Sequence, residues 1–307
     1  MSNILITGAS GFVGKALIPE LSQNKYSLLP ITRTTFAEIT PTTNWSAPLS
    51  SGIDTIIHLA ARVHLMQDTA TDPLAAYRAA NTASTINLAR QAAAAGVRRF
   101  IFLSSIKVNG EGRDAPYTEQ DTPNPTDPYA ISKWEAEQGL LEIAAQTGME
   151  VVILRPPLIY GAGVKANFLR LLQWVEKGIP LPFGSIHNQR SLLYLGNLAD
   201  AIRVCIEHPA AANQTFLVCD NEPLSTAELI HKLAQQFGQT PRLLNIPPRL
   251  LQTLFSLIGR KQEVDRLTDS LLLDNSKICR MLGWQPPFTV DAGLGHTVAA
   301  YRRNQHA

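Results

Sequence analysis

Tyr129 and Lys133, in the run Tyr129-Ala130-Ile131-Ser132-Lys133, stand four residues apart where the pattern is helical, so their side chains share one face one turn apart. A lysine ammonium beside a phenol favours the phenolate and predicts a tyrosine pKa below its ordinary value of about 10. A phenol tuned that way can move a proton on or off a carbinol oxygen. Such pairs also occur by chance on exposed helix faces. Here, however, Ser104-Ser105 ends an apolar strand upstream, and catalytic groups of parallel sheets collect at the carboxyl ends of strands. Ser105 can hydrogen-bond the same substrate oxygen. Ser105, Tyr129 and Lys133 are therefore the candidate catalytic residues.

The elements that position them begin at Ile4-Leu5-Ile6-Thr7, a buried strand that runs into glycines at 8, 11 and 14 and then into an apolar helical pattern (Phe12, Val13, Ala16, Leu17, Leu21). A strand, a tight turn and a helix in that order let backbone approach a pyrophosphate, with the helix N-terminus facing its charge. Gly8, Ser10, Gly11, Phe12, Val13 and Gly14 are the candidate cofactor contacts of this turn.

Further along, strands are expected at Tyr26–Thr32, Asp54–Ala60, Phe100–Ser104 and Val151–Leu154. Helices are expected from Asp72-Pro73 to Gly96 and from Tyr129 to Gln146, with Gly148 ending the second. Residues 35–52 carry no trusted period, and Trp45 reads as a packing residue. Ile106 to Pro128 reads as a long polar loop with four prolines. This alternation predicts an α/β fold: a Rossmann-type doubly wound parallel sheet with a smaller α/β C-terminal lobe. The boundary near 160 is soft. Residues 1–160 would bind the dinucleotide, segments near 190–219 (with a strand at Thr215–Val218) would return to that sheet, and 161–307 would bind substrate. Ser225-Thr226-Ala227-Glu228 is a capping box, Asn275–Leu282 a short helix, and Thr289 the cap of the last one.

Composition sets the outer bounds. Of 307 residues, 45% are hydrophobic and 17% charged, and the formal charge is +2, too small to argue for nucleic acid or an anionic membrane. Cys205, Cys219 and Cys279 are widely spaced, odd in number and form no metal pattern; buried free thiols suit a reducing cytosol. The chain opens directly into a strand without the basic and apolar regions of a signal peptide, so a cytoplasmic protein is expected. Leu243 to Ile258 is apolar-rich but interrupted by Pro247, Pro248 and Arg249, and reads as a packed helix, not a membrane span. His58, inside an apolar strand, reads as a satisfied core histidine, and no His/Asp/Glu cluster is spaced for a metal.

Taken together, Thr7-Gly8-Ala9-Ser10-Gly11-Phe12-Val13-Gly14, His58-Leu59-Ala60-Ala61, Asn81, Phe102-Leu103-Ser104-Ser105, Tyr129 with Lys133, Arg155-Pro156, Tyr160-Gly161, Asp274-Asn275-Ser276-Lys277 and Leu282-Gly283-Trp284 resemble the extended short-chain dehydrogenase/reductase family, in its nucleotide-sugar epimerase/dehydratase branch. The resemblance covers essentially the whole chain. It implies NAD(P) on the first lobe, contacted also by Leu59, Ala60, Ala61, Tyr129 and Lys133, and a nucleoside diphosphate sugar on the second. It places Asn167 near the diphosphate, Arg190 near the nucleotide, and Arg266 and Asp269 on diphosphate and ribose. It also implies a homodimer through the helices carrying Asn81 and Tyr129.

Two departures refine the expectation. The end of the second strand reads Thr32-Arg33-Thr34, where NAD-binding relatives commonly offer a carboxylate; Arg33 suits a 2′-phosphate, so NADP is preferred over NAD. The loop after Ser105 reads Ile106-Lys107-Val108-Asn109-Gly110, where hexose epimerases usually show a tyrosine before the glycine. With Arg62-Val63-His64, this is similar to bacterial UDP-N-acetylhexosamine-type 4-keto reductases and related epimerases of surface-polysaccharide synthesis, and makes Lys107, Asn109 and His64 candidate sugar contacts. The leading expectation is thus an NADPH-dependent reductase of a UDP-4-keto-6-deoxy-N-acetylhexosamine. The alternatives are a UDP-glucose or UDP-N-acetylhexosamine 4-epimerase with retained NAD and, from another class, a non-catalytic dinucleotide sensor. A dehydratase would want an acid pair after Ser105, where Ile106-Lys107 stands.

Overall fold

Ile4, Leu5, Ile6 and Thr7 are fully buried, as a strand covered on both faces requires. They build β1 (Asn3–Thr7) of a computed structural model that describes residues 2–24, 26–36, 38–63, 71–257, 265 and 267–305. The chain continues with β2 (Ser27–Ile31), β3 (Thr55–His58), β4 (Arg99–Leu103), β5 (Arg113–Tyr117), β6 (Glu150–Arg155), β7 (Leu158–Tyr160), β8 (Leu192–Tyr194), β9 (Gln214–Leu217) and β10 (Leu271–Leu273). Six of these form an all-parallel sheet in the order β2-β1-β3-β4-β6-β9. The winding direction reverses between β1 and β3, which opens a crevice beyond their carboxyl ends. The α/β, Rossmann-type architecture is therefore as expected.

Alternation along β1 sends Ile4 and Ile6 to one face and Leu5 to the other. On the first face they meet α1 (Phe12–Ser22) through Leu17 and Leu21, together with Ile202, Cys205 and Ile206, Phe216 of β9, and Ile278, Leu282 and Trp284. On the second face Leu5 shares a cluster with Leu88, Ala92, Ala136, Leu140 and Trp45. Trp45 is a packing residue: it is fully buried just before α2 (Ser46–Leu49) and stacks on Phe36 at 4.8 Å between centroids.

The helix opened by Asp72 has three parts: α3 (Pro73–Tyr77), a π-helical turn (Arg78–Ala83) and α4 (Ser84–Ala94). Asp72 caps it by accepting from Ala75 N at 3.0 Å. The π turn is absent from any periodicity in the sequence, and such insertions often mark functional positions. Asn81 lies inside it. α5 (Pro128–Thr147) ends at Gly148, whose φ of 76° is the left-handed stop that glycine accepts without strain.

Beyond β6 the chain builds a second core from Tyr160, Leu192, α6 (Ala166–Glu176), α8 (Thr226–Gln236) and α11 (Val290–Gln305), through residues such as Phe168, Leu172, Leu233 and Leu294. α7 (Leu195–Glu207), β9 and α10 (Ser276–Leu282) return to the first sheet, so both cores draw on the C-terminal half. The capping box at Ser225 and Glu228 is present, and Thr289 accepts from Ala292 N at 3.2 Å at the head of α11. One expectation is corrected. Residues 106–128 are not all loop: they hold a 3₁₀ turn (Ile106–Val108) and β5, which pairs in parallel with β10. Asp114, Ala115 and Pro116 of β5 are all exposed, so no alternating pattern announced the strand. The apolar run after Leu243 contains α9 (Pro248–Leu257), and among the described residues no helix is long and apolar enough to cross a membrane.

Candidate active site

At the crevice Gly8 has a φ of +69°, and a Cβ there would stand 2.7 Å from Ala60 N. A Cβ on Gly14 would stand 2.5 Å from Ala9 O. The turn is thus pressed against the end of β3, where Leu59, Ala60 and Ala61 follow, and α1 is pressed against the turn. Gly11 caps α1 with no side-chain hydrogen bond, and Ser10 and Gly11 are exposed. First-turn N–H groups of Phe12 and Val13 can therefore serve an anion. Phe12 packs on the second lobe and Val13 on the first. Ala9 N donates to Ile31 O at 3.3 Å, which ties the turn to the end of β2. Arg33 stands exposed in the next turn, held by Thr32 and Thr35. The glycine cradle and open helix end fit a dinucleotide pyrophosphate. Among the described residues no three His, Cys, Asp or Glu side chains are grouped to hold a metal.

A buried hydrogen-bond chain joins this crevice to α5. Thr85 Oγ1 donates to Asn81 O at 2.6 Å, so it accepts from His58 Nε2 at 2.9 Å. His58 Nδ1 then accepts from Thr7 Oγ1 at 2.7 Å, and Thr7 Oγ1 accepts from Ala60 N at 3.2 Å. His58 is thereby a fully satisfied core histidine, and burial, with Lys133 second, pushes its pKa down to about 3. Asn81 Oδ1 accepts from Arg62 N at 2.8 Å, while Nδ2 donates to Arg62 O and Ser132 Oγ, both at 3.0 Å. Ser132 Oγ donates to Tyr129 O at 2.8 Å.

Asp127 starts α5, its Oδ1 accepting from Ala130 N at 2.7 Å with Pro128 at the first helical position. Tyr129 is half-buried, edge-on to Tyr77 at 6.2 Å, and in hydrogen-bonding reach of Ser105. Here the structure corrects the sequence. The phenol pKa is raised, by burial first and by Asp127 and Tyr77 next, with Ser105 opposing. Lys133 does not offset this, because its buried ammonium donates to Leu103 O at 2.8 Å and lies 4.4 Å over the Phe102 ring. Burial pushes Lys133 down to about 7, against Glu137.

The candidate substrate residues divide. Lys107 pairs with Asp127 Oδ2 at 2.6 Å and Glu111 Oε1 at 3.3 Å, beside Ser105 and Tyr129. A cleft of about 380 Å³ runs from Asp127 and Glu111 to Arg190, Asp265 and Asp269. Arg190 donates to Asp269 O at 2.8 Å, and the Asp269 carboxyl is held above its ordinary value by burial first and Asp265 next. Asn109, against expectation, does not face that cleft. It is buried, accepting from the Arg155 guanidinium at 2.9 Å and donating to Thr118 O at 3.0 Å. Asn167 is exposed on the first turn of α6, accepting from Arg170 at 3.2 Å, and does not line the cleft. His64 and Arg266 lie outside the described residues. Asp127 was missed as a site residue, although Asp-Pro before a helical run is a readable helix start.

A dinucleotide crevice at a sheet switch point, with serine, tyrosine and lysine at the neighbouring strand end and helix, defines an NAD(P)-dependent enzyme of the Rossmann class. The model of the NAD dependent epimerase/dehydratase family matches residues 4–219, and the chain belongs to that family. It is 44% identical to a UDP-glucose 4-epimerase from Vibrio cholerae, covering 97% of this chain and 95% of that one. Its fold is similar to RMD from Pseudomonas aeruginosa complexed with NADPH (TM-score 0.79, 24% identity, 99% and 100% of the two chains). It is likewise similar to a UDP-N-acetylglucosamine 4-epimerase from Bacillus cereus (TM-score 0.81, 18% identity, 98% and 100%).

Proposed function

We propose that the chain is a UDP-hexose 4-epimerase, inverting C4 of UDP-glucose or UDP-N-acetylglucosamine with a retained NAD. The observation that carries this reading is the 44% identity to a UDP-glucose 4-epimerase along 97% of the chain, with Ser105, Tyr129 and Lys133 grouped at the crevice. It favours the epimerase over the 4-keto reductase that Arg33 and the Ser105 loop suggested.

A nicotinamide dinucleotide supplies the hydride acceptor and donor at C4; the protein supplies the proton and the geometry. Tyr129 takes the proton of the C4 hydroxyl and returns it after the keto-sugar has turned. Ser105 hydrogen-bonds O4 and also stabilises the charged phenol. Lys133, one turn along α5 with its ammonium held by Leu103 O, is the donor to the nicotinamide ribose in this reading. Gly8, Ser10, Gly11, Phe12, Val13 and Gly14 hold the pyrophosphate, with Leu59, Ala60 and Ala61 along its other side. Arg190 binds the substrate diphosphate with a planar fork suited to two phosphate oxygens, and Asp269 lies beside it. Lys107 meets the sugar end of the cleft. Arg266 is a further diphosphate contact of this reading, and His64 a sugar contact.

Arg33 supports a second reading: NADPH as a dissociable reductant for a UDP-4-keto-6-deoxy sugar, since no carboxylate stands at 32–34. Two measurements decide. Acid-released nucleotide from purified protein is expected to be NAD, and UDP-glucose and UDP-galactose are expected to interconvert without added cofactor. Stoichiometric NADPH consumption with a UDP-4-keto-6-deoxy sugar, and no interconversion, would select the reductase. Tyr129→Phe is expected to lower turnover by about 10²–10⁴ with the dinucleotide still bound; unchanged turnover would refute the role of Tyr129, and a wild type that binds the dinucleotide but turns over no UDP-sugar would leave only the dinucleotide sensor. The surface of α4 and α5, with Ile86, Gly139 and Ile143 lining a shallow groove and Leu141 exposed, supports a homodimer, testable by light scattering.

A further inference from the structure

Glu137 is fully buried, and the chemistry above does not use it. It stands on α5 one turn beyond Lys133, which is itself one turn beyond Tyr129, so the three share one helix face. Its Oε1 accepts from Ser104 Oγ and, at 3.0 Å, from Arg155 Nε; its Oε2 accepts from the Arg155 guanidinium. Arg155 reaches on to Asn109 Oδ1 at 2.9 Å, and Asn109 to Thr118 O at 3.0 Å. A single carboxylate thus ties the ends of β4 and β6 to α5, directly behind Ser105.

We propose that Glu137 is a positioning residue for the Ser105–Tyr129–Lys133 group: through Ser104 it fixes the strand end that presents Ser105, and its negative charge keeps the buried Lys133 ammonium protonated. The geometry leaves Lys133 few alternatives. From β4 it meets the Phe102 ring and the Leu103 carbonyl, and from β3 the neutral His58. Arg155, at the end of β6, is a second cation, and its charge is engaged by Glu137 itself. Along α5 Tyr129 is a neutral phenol on the other side. Glu137, one helical turn from Lys133 on α5, is therefore the anion placed to act on it. An ion pair this deep contributes little to net stability against an apolar replacement, whereas removing one partner is costly. A role in tuning a neighbouring cation accounts for a buried charge pair behind a catalytic serine better than stability does.

The inference rests on Lys133 acting as a cation in the proposed reaction, and its main test needs no substrate. Protein labelled with ¹³C in lysine side chains, with Lys133 assigned through Lys133→Met, reports the Lys133 titration midpoint by NMR. Glu137→Gln is expected to lower that midpoint by about one pH unit, a tenfold change in ionisation constant. Because Glu137→Gln strands the Arg155 charge, the double variant Glu137→Gln/Arg155→Met keeps the test valid: with both charges removed it is expected to fold and still to show the lowered midpoint. A midpoint unchanged in the double variant overturns the proposal. In turnover, both variants are expected to move the alkaline limb of the kcat profile to lower pH, with kcat falling at least tenfold and KM within about threefold. A lowered midpoint in a protein whose wild type fails to interconvert UDP-sugars would uphold the role of Glu137 and reject the substrate reading instead.

Discussion

Gly8→Ala isolates the close approach on which the cofactor crevice depends. At φ +69° an alanine carries the left-handed penalty of about 1–2 kcal/mol. Its Cβ would also stand 2.7 Å from Ala60 N and 2.9 Å from the Leu59 carbonyl carbon, both backbone atoms that no side-chain rotation can move. Forcing them apart adds an overpacking cost of about 1–3 kcal/mol, for a total of about 2–5 kcal/mol. Gly96→Ala supplies the control. Gly96 has φ +77° at the end of α4, yet a Cβ there would meet nothing within 4 Å, so its loss is expected to be about 1–2 kcal/mol. Any gain from a stiffer unfolded chain is common to both substitutions and cancels in the comparison. Urea unfolding of the two variants measures the difference, and the nucleotide retained after purification measures the effect on the crevice. Gly8→Ala is expected to be the less stable and to retain less dinucleotide. If it cost no more than Gly96→Ala and kept its nucleotide, the contact between the first turn and the end of β3 would not be what the glycine serves.

Asp127→Asn keeps an N-cap for α5 but removes the charge that raises the Tyr129 phenol. The Tyr129 phenol, held above its ordinary value, is expected to ionise at lower pH in this variant, read from the tyrosinate absorbance above about pH 10 as the difference between proteins with and without Tyr129→Phe. His58 is neutral in the folded state until about pH 3, while in the unfolded chain it takes up a proton near 6.5. Its contribution to stability is therefore whole above pH 6.5 and lost as pH falls toward 3, by about 1 kcal/mol between pH 6 and 5. His58→Gln is expected to flatten the urea-midpoint slope over that interval by this amount; an unaltered slope would refute the assignment. Ser225→Ala removes the hydroxyl that accepts from Glu228 N at 3.1 Å, with an expected loss of about 1 kcal/mol in the same assay.

Much of this arrangement was legible because local chemistry wrote it. The glycines at 8, 11 and 14 mark places where backbone meets backbone, and Asp72-Pro73 and Ser225-x-x-Glu228 satisfy helix N–H groups in ways that depend on a few neighbouring residues. β5 was not legible, because its partner β10 lies more than 150 residues away and its middle residues are exposed. The tyrosine pKa was misjudged for a related reason. Residue spacing sets the separation of Tyr129 and Lys133 along the helix, but not the carbonyl of Leu103 that draws the ammonium behind β4. Asn109 shows the same limit: the loop sequence suggested a sugar contact, and only the tertiary meeting with Arg155 engages its amide.

The pairing of β5 with β10 bears on how the molecule is made. The segment after Ser105 gains its backbone partner only when residues 271–273 arrive, and the edge of the main sheet closes only with β9. On a ribosome, which releases the chain from its N-terminus at about 5–20 residues per second, the crevice for the dinucleotide can assemble early while the cleft that takes substrate stays incomplete until most of the chain has emerged. Nearly the whole polypeptide must exist before the reacting groups face a finished pocket.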